Sequence, residues 1–167
     1  MRTVNYKLEP DGTYIYETNI QTENYWCVID LLKNKIIKKI KIELDNNLYT
    51  YVKTPHNSQI KGLEDGRFIR YNGKLYISFV SLEYGFNPIQ SIVLAHLNSN
   101  LKITHIIPLR YKNQQIQKNW LPVEYKGKLC FIYSYDPFIL LQVNVYNGFC
   151  SEIINCTYNY NFSTFRG

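Results

Sequence analysis

The stretch YNGKLYISF at residues 71–79 recurs 54 residues later as YKGKLCFIY at residues 125–133. In each copy, an Asn-Gly or Lys-Gly pair separates two segments rich in aromatic and β-branched residues. Such dipeptides adopt the positive φ angles that a tight two-residue hairpin needs. A fainter copy, DGTYIY, occupies residues 11–16. The repeat therefore predicts a β-hairpin in each third of the chain.

A second hairpin follows each copy. It consists of an apolar segment, a short polar turn and another strand, and the three examples lie at residues 25–44, 91–109 and 138–156. The repeating unit is therefore two successive hairpins, or four strands in 50 to 60 residues. Four strands per unit predict one blade of a β-propeller, because a single blade cannot bury both of its faces and must stack on its neighbours.

The expected fold is all-β, a single partial propeller domain of about three four-stranded antiparallel blades. We place the blades at residues 1–55, 56–112 and 113–167. Propellers usually have four to eight blades, and three cannot close a ring without a gap. We therefore expect a truncated or split propeller, which would be able to self-associate through an uncapped blade.

The composition agrees with a folded β-protein. Of the 167 residues, 46% are hydrophobic and 16% are aromatic, and aromatic and β-branched residues favour strands. Asn, Lys, Ile and Tyr together number 68 residues, and all four are encoded by AT-rich codons. A bias in the genome is therefore another explanation of the many tyrosines. Such a bias points to a large virus or an AT-rich microbe as the source. No segment is apolar enough for a membrane helix or a secretory signal, so we expect a cytoplasmic protein.

The charge and the cysteines exclude several classes of partner. The net charge is +6, but the densest basic stretch, residues 33–41, leads into an alternation of charged and apolar residues up to Leu44. That pattern is typical of a solvated edge strand, and we expect neither a nucleic-acid partner nor a membrane. The four cysteines form no CxxC pair and are read as free thiols. We expect no metal and no cofactor.

The candidate site lies just before the two Gly turns. In a propeller the innermost strand of each blade lines a central funnel, and these strands read GLEDGRF at residues 62–68 and QKNWLP at residues 117–122. The 54-residue offset places Glu64 over Lys118 and Asp65 over Asn119. Polar residues thus fall at equivalent funnel positions in two blades, which predicts a site there.

These residues resemble a known group. The segment GLEDGR at residues 62–67 is similar to the Glu-Asp-Pro-Arg segment of five-bladed propeller glycosidases and glycan phosphorylases, most of all glycoside hydrolase family 130, with families 43, 32 and 68 more distant. Residues 118–122 (KNWLP) and 131–137 (FIYSYDP) resemble a set of uncharacterised relatives, whose later Arg-Gly-Gly motif would begin at Arg166. The resemblance implies a glycan or sugar phosphate as ligand, with Asp65 as the candidate catalytic residue and Arg166 as a ligand contact.

Three departures from those enzymes weaken a catalytic role. The Pro of Glu-Asp-Pro-Arg is Gly66, a Lys-Asp pair reads Lys118-Asn119, and a first-blade Tyr-Arg reads Tyr16-Glu17. An amide such as that of Asn119 cannot donate a proton as a general acid does. We therefore expect a glycan-binding or catalytically degenerate protein. An active glycosidase or phosphorylase completed by further blades, and a protein-interaction propeller without sugar binding, remain the alternatives.

Asp65, Glu64 and Arg67 are the charged candidates of the middle blade. Adjacent residues of a strand point to opposite faces, so Glu64 and Asp65 are not expected to form the carboxyl pair of a glycosidase. A partner carboxylate would come from Glu17, Glu124 or Asp136, among others. Arg67 is expected to share the face of Asp65, where it either clamps a sugar hydroxyl or phosphate or forms a salt bridge between blades.

The remaining candidates each have a structural alternative. Trp120 either stacks on a pyranose ring or packs between blades. Lys118 and Asn119 either hydrogen-bond a glycan or hold the backbone of the funnel strand. His56, in the polar loop before the middle blade, either reaches the ligand or is simply solvated.

Overall fold

A computed structural model describes residues 1–16, 18–52, 54–112 and 118–158, and their regular structure is all β. Within these ranges, no helix is long and apolar enough to cross a bilayer. The N-terminal part contains β1 (Arg2–Val4), β2 (Lys7–Leu8), β3 (Tyr14–Ile15), β4 (Ile20–Asp30), β5 (Lys35–Lys41), β6 (Glu43–Thr50) and β7 (Ile60–Lys61). The middle part contains β8 (Glu64–Tyr71), β9 (Lys74–Ser81), β10 (Ser91–Leu97) and β11 (Lys102–Pro108). The C-terminal part contains β12 (Leu121–Tyr125), β13 (Lys128–Tyr135), β14 (Phe138–Val143) and β15 (Cys150–Cys156).

These strands form three larger sheets. The last sheet is β12-β13-β14-β15, and the middle sheet is β8-β9-β10-β11 with β6 added in parallel beside β11. The first sheet is β1-β4-β5, with β7 paired to β4, and β2 and β3 form a separate short hairpin. The predicted set of four consecutive antiparallel strands is confirmed in the middle and last sheets. The N-terminal part differs, because β6 leaves it to extend the middle sheet.

The hairpin turns of the repeat have the predicted geometry. Asn72 and Gly73, between β8 and β9, have φ angles of 47° and 72°. Lys126 and Gly127, between β12 and β13, have φ angles of 49° and 69°. Two successive residues with positive φ give a turn whose twist matches that of the flanking strands. The 54-residue repeat is therefore a repeat of backbone geometry as well as of sequence.

The middle sheet is buried on both faces. Tyr76 and Leu94 on one face pack in a cluster with Leu129 and Phe131 of the last sheet. On the opposite face, Phe79, Val93 and Ile106 belong to a second cluster, which includes Leu63, Ile42 and Leu48 from outside the four-strand unit. Burial on both faces explains why β10 reads as a continuous apolar run rather than an alternating one.

The first sheet is much more exposed. Its contacts with the middle sheet include the Asn24 Nδ2 hydrogen bond to the Leu63 carbonyl, at 2.7 Å, and the Trp26 ring edge against Phe68. Residues 31–39 are all exposed, and β5 is the last strand on its side of the sheet. The predicted lysine-rich edge strand is confirmed over β5, but this strand ends at Lys41, and Glu43 and Leu44 belong to β6 of the middle sheet.

Candidate functional site

The chain enters β8 through a β-bulge. Asp65 has a φ angle of 52°, and the pairing of β8 with β9 shifts register between Glu64 and Arg67. Asn119, which the repeat places over Asp65, has a φ angle of 65°. Asp and Asn are the side chains that most readily tolerate this left-handed conformation. The two residues are therefore equivalent in backbone geometry, and that requirement alone accounts for a short polar side chain at both positions.

The bulge brings two carboxylates to one arginine. Arg2 Nη1, in β1, lies 2.7 Å from Asp65 Oδ1 and 3.7 Å from Glu64 Oε1. Thr22 Oγ1 also donates a hydrogen bond to Glu64 Oε1, at 3.4 Å. Glu64 is paired with Val80, which packs toward the last sheet, so the expectation that Glu64 and Asp65 point to opposite faces stays a prediction although Arg2 contacts both carboxylates. We refer to Arg2, Glu64 and Asp65 as the Arg2 cluster.

Arg67 faces away from the Arg2 cluster. It is paired with Ser78, which is paired in turn with Leu94, and residues paired directly across strands share a face. Leu94 packs toward the last sheet, so Arg67 lies on that side of the middle sheet. The expectation that Arg67 shares the face of Asp65 is therefore wrong. Within the described residues its guanidinium forms no hydrogen bond or ion pair.

Gly66 explains the first departure from the Glu-Asp-Pro-Arg segment. A Cβ atom placed at Gly66 would lie 2.6 Å from the ring of Phe79, a distance that requires the ring to move. Phe79 is almost fully buried in the core of the middle sheet. A proline at this position would meet the same obstacle, so the glycine follows from packing.

Arg2 and Asp65 of this cluster line a groove between the first and middle sheets. A cleft of about 270 Å³ is lined by Arg2 and Asp65 together with Tyr25, Phe68 and Phe79, among others. A neighbouring cleft of about 300 Å³ is lined by residues that include Thr22, Glu23, Lys41, Lys61, Gly62, Glu83 and Tyr84. Both clefts share Asn24 and Ile42, and the hydrogen bond from Asn24 to Leu63 lies between them. We call the two clefts together the inter-sheet groove.

Two further acid–base pairs line the larger cleft. Lys41 Nζ and Tyr25 Oη both donate to the Glu23 carboxylate, and these hydrogen bonds lower the pKa of Glu23. The same carboxylate raises the pKa of both Lys41 and Tyr25. Glu83 accepts a hydrogen bond from the backbone N–H of Gly62 at 2.6 Å, and Lys61 Nζ lies 3.6 Å from it. The described part of the groove therefore contains three ion pairs, which join Arg2 to Asp65, Lys41 to Glu23 and Lys61 to Glu83.

Trp120 is a core residue. Its side chain is 1% exposed and belongs to the cluster between the middle and last sheets. The rings of Tyr111, Phe131 and Tyr133 meet it edge-on, with centroids 5.4 to 6.4 Å away. This geometry agrees with the packing alternative and leaves no ring face for a sugar.

Lys118 and Asn119 are exposed at the start of β12. No hydrogen bond or ion pair between described residues joins either of them to the Arg2 cluster. Glu124 and Asp136 are exposed on the last sheet and also lie apart from that cluster. Glu17 and Arg166 lie outside the described residues.

His56 supports a loop next to the groove. Its Nε2 donates a hydrogen bond to the carbonyl of Gly85 at 2.9 Å, and its backbone N–H donates to the carbonyl of Glu83, also at 2.9 Å. The half-buried imidazole therefore holds the segment that carries Glu83 into the larger cleft. The sequence predicted that His56 lies near the site. In the structure, its contacts position the neighbouring Glu83.

Sequence reasoning missed four groove residues, Arg2, Glu23, Lys41 and Glu83. Arg2 and Glu83 belong to no repeat, and nothing in their surroundings marks them. Glu23 and Lys41 lie on the two strands of the β4–β5 hairpin, and their contact depends on its register, in which Tyr25 is paired with Lys41. The sequence pattern does not fix that register.

The described residues contain no group of three or more His, Cys, Asp or Glu side chains that could hold a metal ion. No family model matches the chain, and neither a curated protein nor a solved structure matches it.

Proposed function

We propose that this protein binds a glycan in the inter-sheet groove. The observation that carries the proposal is the Arg2 cluster, where Arg2 and Asp65 form an ion pair at the wall of a cleft and Glu64 lies 3.7 Å from the same guanidinium. The resemblance of residues 62–67 to the propeller glycosidases supports the choice of a sugar as the ligand.

The chemistry of the groove suits a polyhydroxylated ligand. A carboxylate accepts hydrogen bonds from neighbouring hydroxyls, and a guanidinium or an ammonium donates to their oxygens. Tyr25 and Phe68 supply aromatic surface in the same cleft, against which the apolar face of a sugar ring would pack. Binding sites generally combine such apolar walls with a few convergent polar groups.

We further propose that the three sheets are blades of a partial propeller. β8 and β12, the first strands of the middle and last sheets, contact each other, as the inner strands of adjacent blades would. In this arrangement the groove lies between the first two blades, and Arg2, Glu64 and Asp65 lie where their strands approach the common axis.

The test is a titration of the protein with manno-oligosaccharides by isothermal calorimetry or NMR. The informative variant is Asp65→Asn, because Asn119 occupies the equivalent left-handed position in the last sheet, so the backbone is preserved while the charge is lost. We expect affinity to fall about tenfold, the value of a lost charge-assisted hydrogen bond. Asp136→Asn, in an exposed turn of the last sheet, is the matched control and should bind normally.

A folded sample that binds no glycan would contradict the proposal. Equal losses for Asp65→Asn and Asp136→Asn would place the ligand outside the groove. Turnover of an aryl glycoside, with or without phosphate, would instead support the alternative of an active glycosidase or phosphorylase. Protein partners that still bind after substitution of Arg67 and Lys118 would favour the alternative of a protein-interaction propeller.

A further inference from the structure

The hairpin of β4 and β5 presents its most apolar residues at its tip. Leu31 and Leu32 are 85% and 99% exposed, and Ile29, Ile36 and Ile37 beside them are also exposed. The turn is ordered, because the Asp30 carboxylate accepts hydrogen bonds from the backbone N–H groups of Leu32 and Lys33, at 3.0 and 3.1 Å. The two leucines therefore project from a fixed turn instead of folding back onto the sheet.

Lysines surround this apolar tip. Five lie between residues 33 and 41, against two acids in the hairpin, Glu23 and Asp30. The Asp30 carboxylate caps the turn and lies 3.9 Å from Lys33 Nζ. Lys41 is paired with Glu23, and Lys39 lies over the ring of Tyr25. Lys35 and Lys38 form no ion pair with any residue that the structure describes. The hairpin thus combines an apolar end with a net positive stem.

We infer that this hairpin docks on a bilayer that contains anionic lipid. Leu31 and Leu32 would enter the boundary between headgroups and acyl chains, while the lysines behind them would meet the anionic headgroups. Long lysine stems keep their ammonium groups in the headgroup layer while their methylenes cover apolar surface. This inference differs from the expectation from sequence that the protein has no membrane partner.

The charge argues against a second copy of the chain as the occupant. Pairing β5 with β5 of another molecule would place one row of lysines against another, and edge-strand lysines oppose such pairing. A bilayer offers an apolar layer behind an anionic layer, in the same order as the leucines and lysines of the hairpin. A protein groove lined by acids would match only the stem, unless it also held an apolar pocket for the two leucines.

The test is cosedimentation of the full chain with vesicles of phosphatidylcholine alone or mixed with phosphatidylserine. We expect binding to the mixed vesicles, weaker binding to phosphatidylcholine alone, and a decrease as salt is raised. The double variant with Leu31→Ser and Leu32→Ser should lower the partition coefficient about tenfold or more, because the apolar area buried in the bilayer determines much of the affinity. Tyr146→Ser is the matched control, because Tyr146 is 86% exposed in a turn of the last sheet, and it should bind normally.

A Leu32→Trp variant reports on insertion directly. Its added fluorescence should shift to the blue with phosphatidylserine vesicles and be quenched by brominated acyl chains. The inference is overturned by a folded sample that does not bind the mixed vesicles, by equal losses in the tip and control variants, or by binding without a blue shift at residue 32. A dimer in analytical ultracentrifugation that dissociates in the tip variant, without vesicle binding, would identify a second copy as the occupant and also overturn it.

Discussion

β5 and β10 are both seven-residue strands rich in aliphatic side chains, but they have opposite environments. β10 (SIVLAHL) lies in the middle sheet between two apolar clusters, and five of its residues in succession are buried. β5 (KIIKKIK) lies at the edge of the first sheet, where only Ile40 is half-buried. Apolar content alone therefore does not decide burial. The lysines of β5 mark a strand that no sheet covers, and the middle and last sheets should carry most of the stability.

The largest expected effect of this difference is on the free energy of unfolding of two tryptophan variants. Trp120→Ala removes a fully buried ring between the middle and last sheets and should lower the free energy of unfolding by about 3–5 kcal/mol. Trp26→Ala, in the half-buried first sheet, should cost less than half as much, because its ring is partly solvated. Urea unfolding followed by circular dichroism measures both. Equal losses would contradict the idea that stability is concentrated in the middle and last sheets.

A smaller effect is expected at two buried serines of β9. Ser81 Oγ accepts hydrogen bonds from the backbone N–H groups of Glu83 and Tyr84, at 3.1 and 3.2 Å, so Ser81→Ala should cost about 1–3 kcal/mol. Ser78 Oγ is buried without a hydrogen-bond partner among the described residues, and Ser78→Ala should be neutral or stabilising. The two variants share strand, residue type and burial, so each serves as the control for the other. A destabilising Ser78→Ala would mean that its hydroxyl has a partner.

The junction between the middle and last sheets should also be sensitive to acid. Lys112, Tyr111 and Asn155 all donate hydrogen bonds to Glu152, and together they lower the pKa of Glu152 to about 2. A carboxyl whose pKa is depressed in the folded state stabilises the fold above its ordinary value near 4.5, and this contribution is lost as the pH falls from there toward 2.

Glu152→Gln should therefore flatten the decline in the urea midpoint between about pH 5 and pH 2. Glu124→Gln, at an exposed position on β12, is the control and should leave the decline unchanged. A steep decline that persists in Glu152→Gln would show that other carboxylates control acid unfolding.

The sequence predicted the fold where its signals were local. The Gly turns at 72–73 and 126–127 and the strands that flank them repeat, and hairpin geometry depends only on neighbouring residues. It failed where contacts join distant segments. Nothing local indicates that β6 would pair with β11, or that Arg2 would reach Asp65, 63 residues away.

The bulge at Asp65 is an instructive intermediate case. The offset of 54 residues aligns Asp65 with Asn119, and both have the left-handed conformation, whereas the prediction that Arg67 shares the face of Asp65 requires regular alternation between these two residues. One left-handed residue changes which face the next side chains occupy, and this separated Arg67 from Asp65, while Arg2 contacts both Glu64 and Asp65. In the sequence, Asp65 and Asn119 at equivalent positions near the start of a strand indicate that conformation.

The smallest effect concerns the reactivity of the thiols and does not involve stability. Burial raises the pKa of Cys150 in the last sheet to about 12, and it also raises the pKa of Cys130. Only the thiolate reacts with alkylating reagents, so both should label slowly at pH 8, whereas Cys27, half-buried in the exposed first sheet, should label early. Mass spectrometry of peptides after timed iodoacetamide treatment measures each rate, and Cys27→Ser should remove the early label from its own peptide without changing the rates of Cys130 and Cys150. If Cys150 reacted as fast as Cys27, the last sheet would have to open as readily as the first. The two sheets would then have equal local stability, which would contradict the difference that their burial indicates.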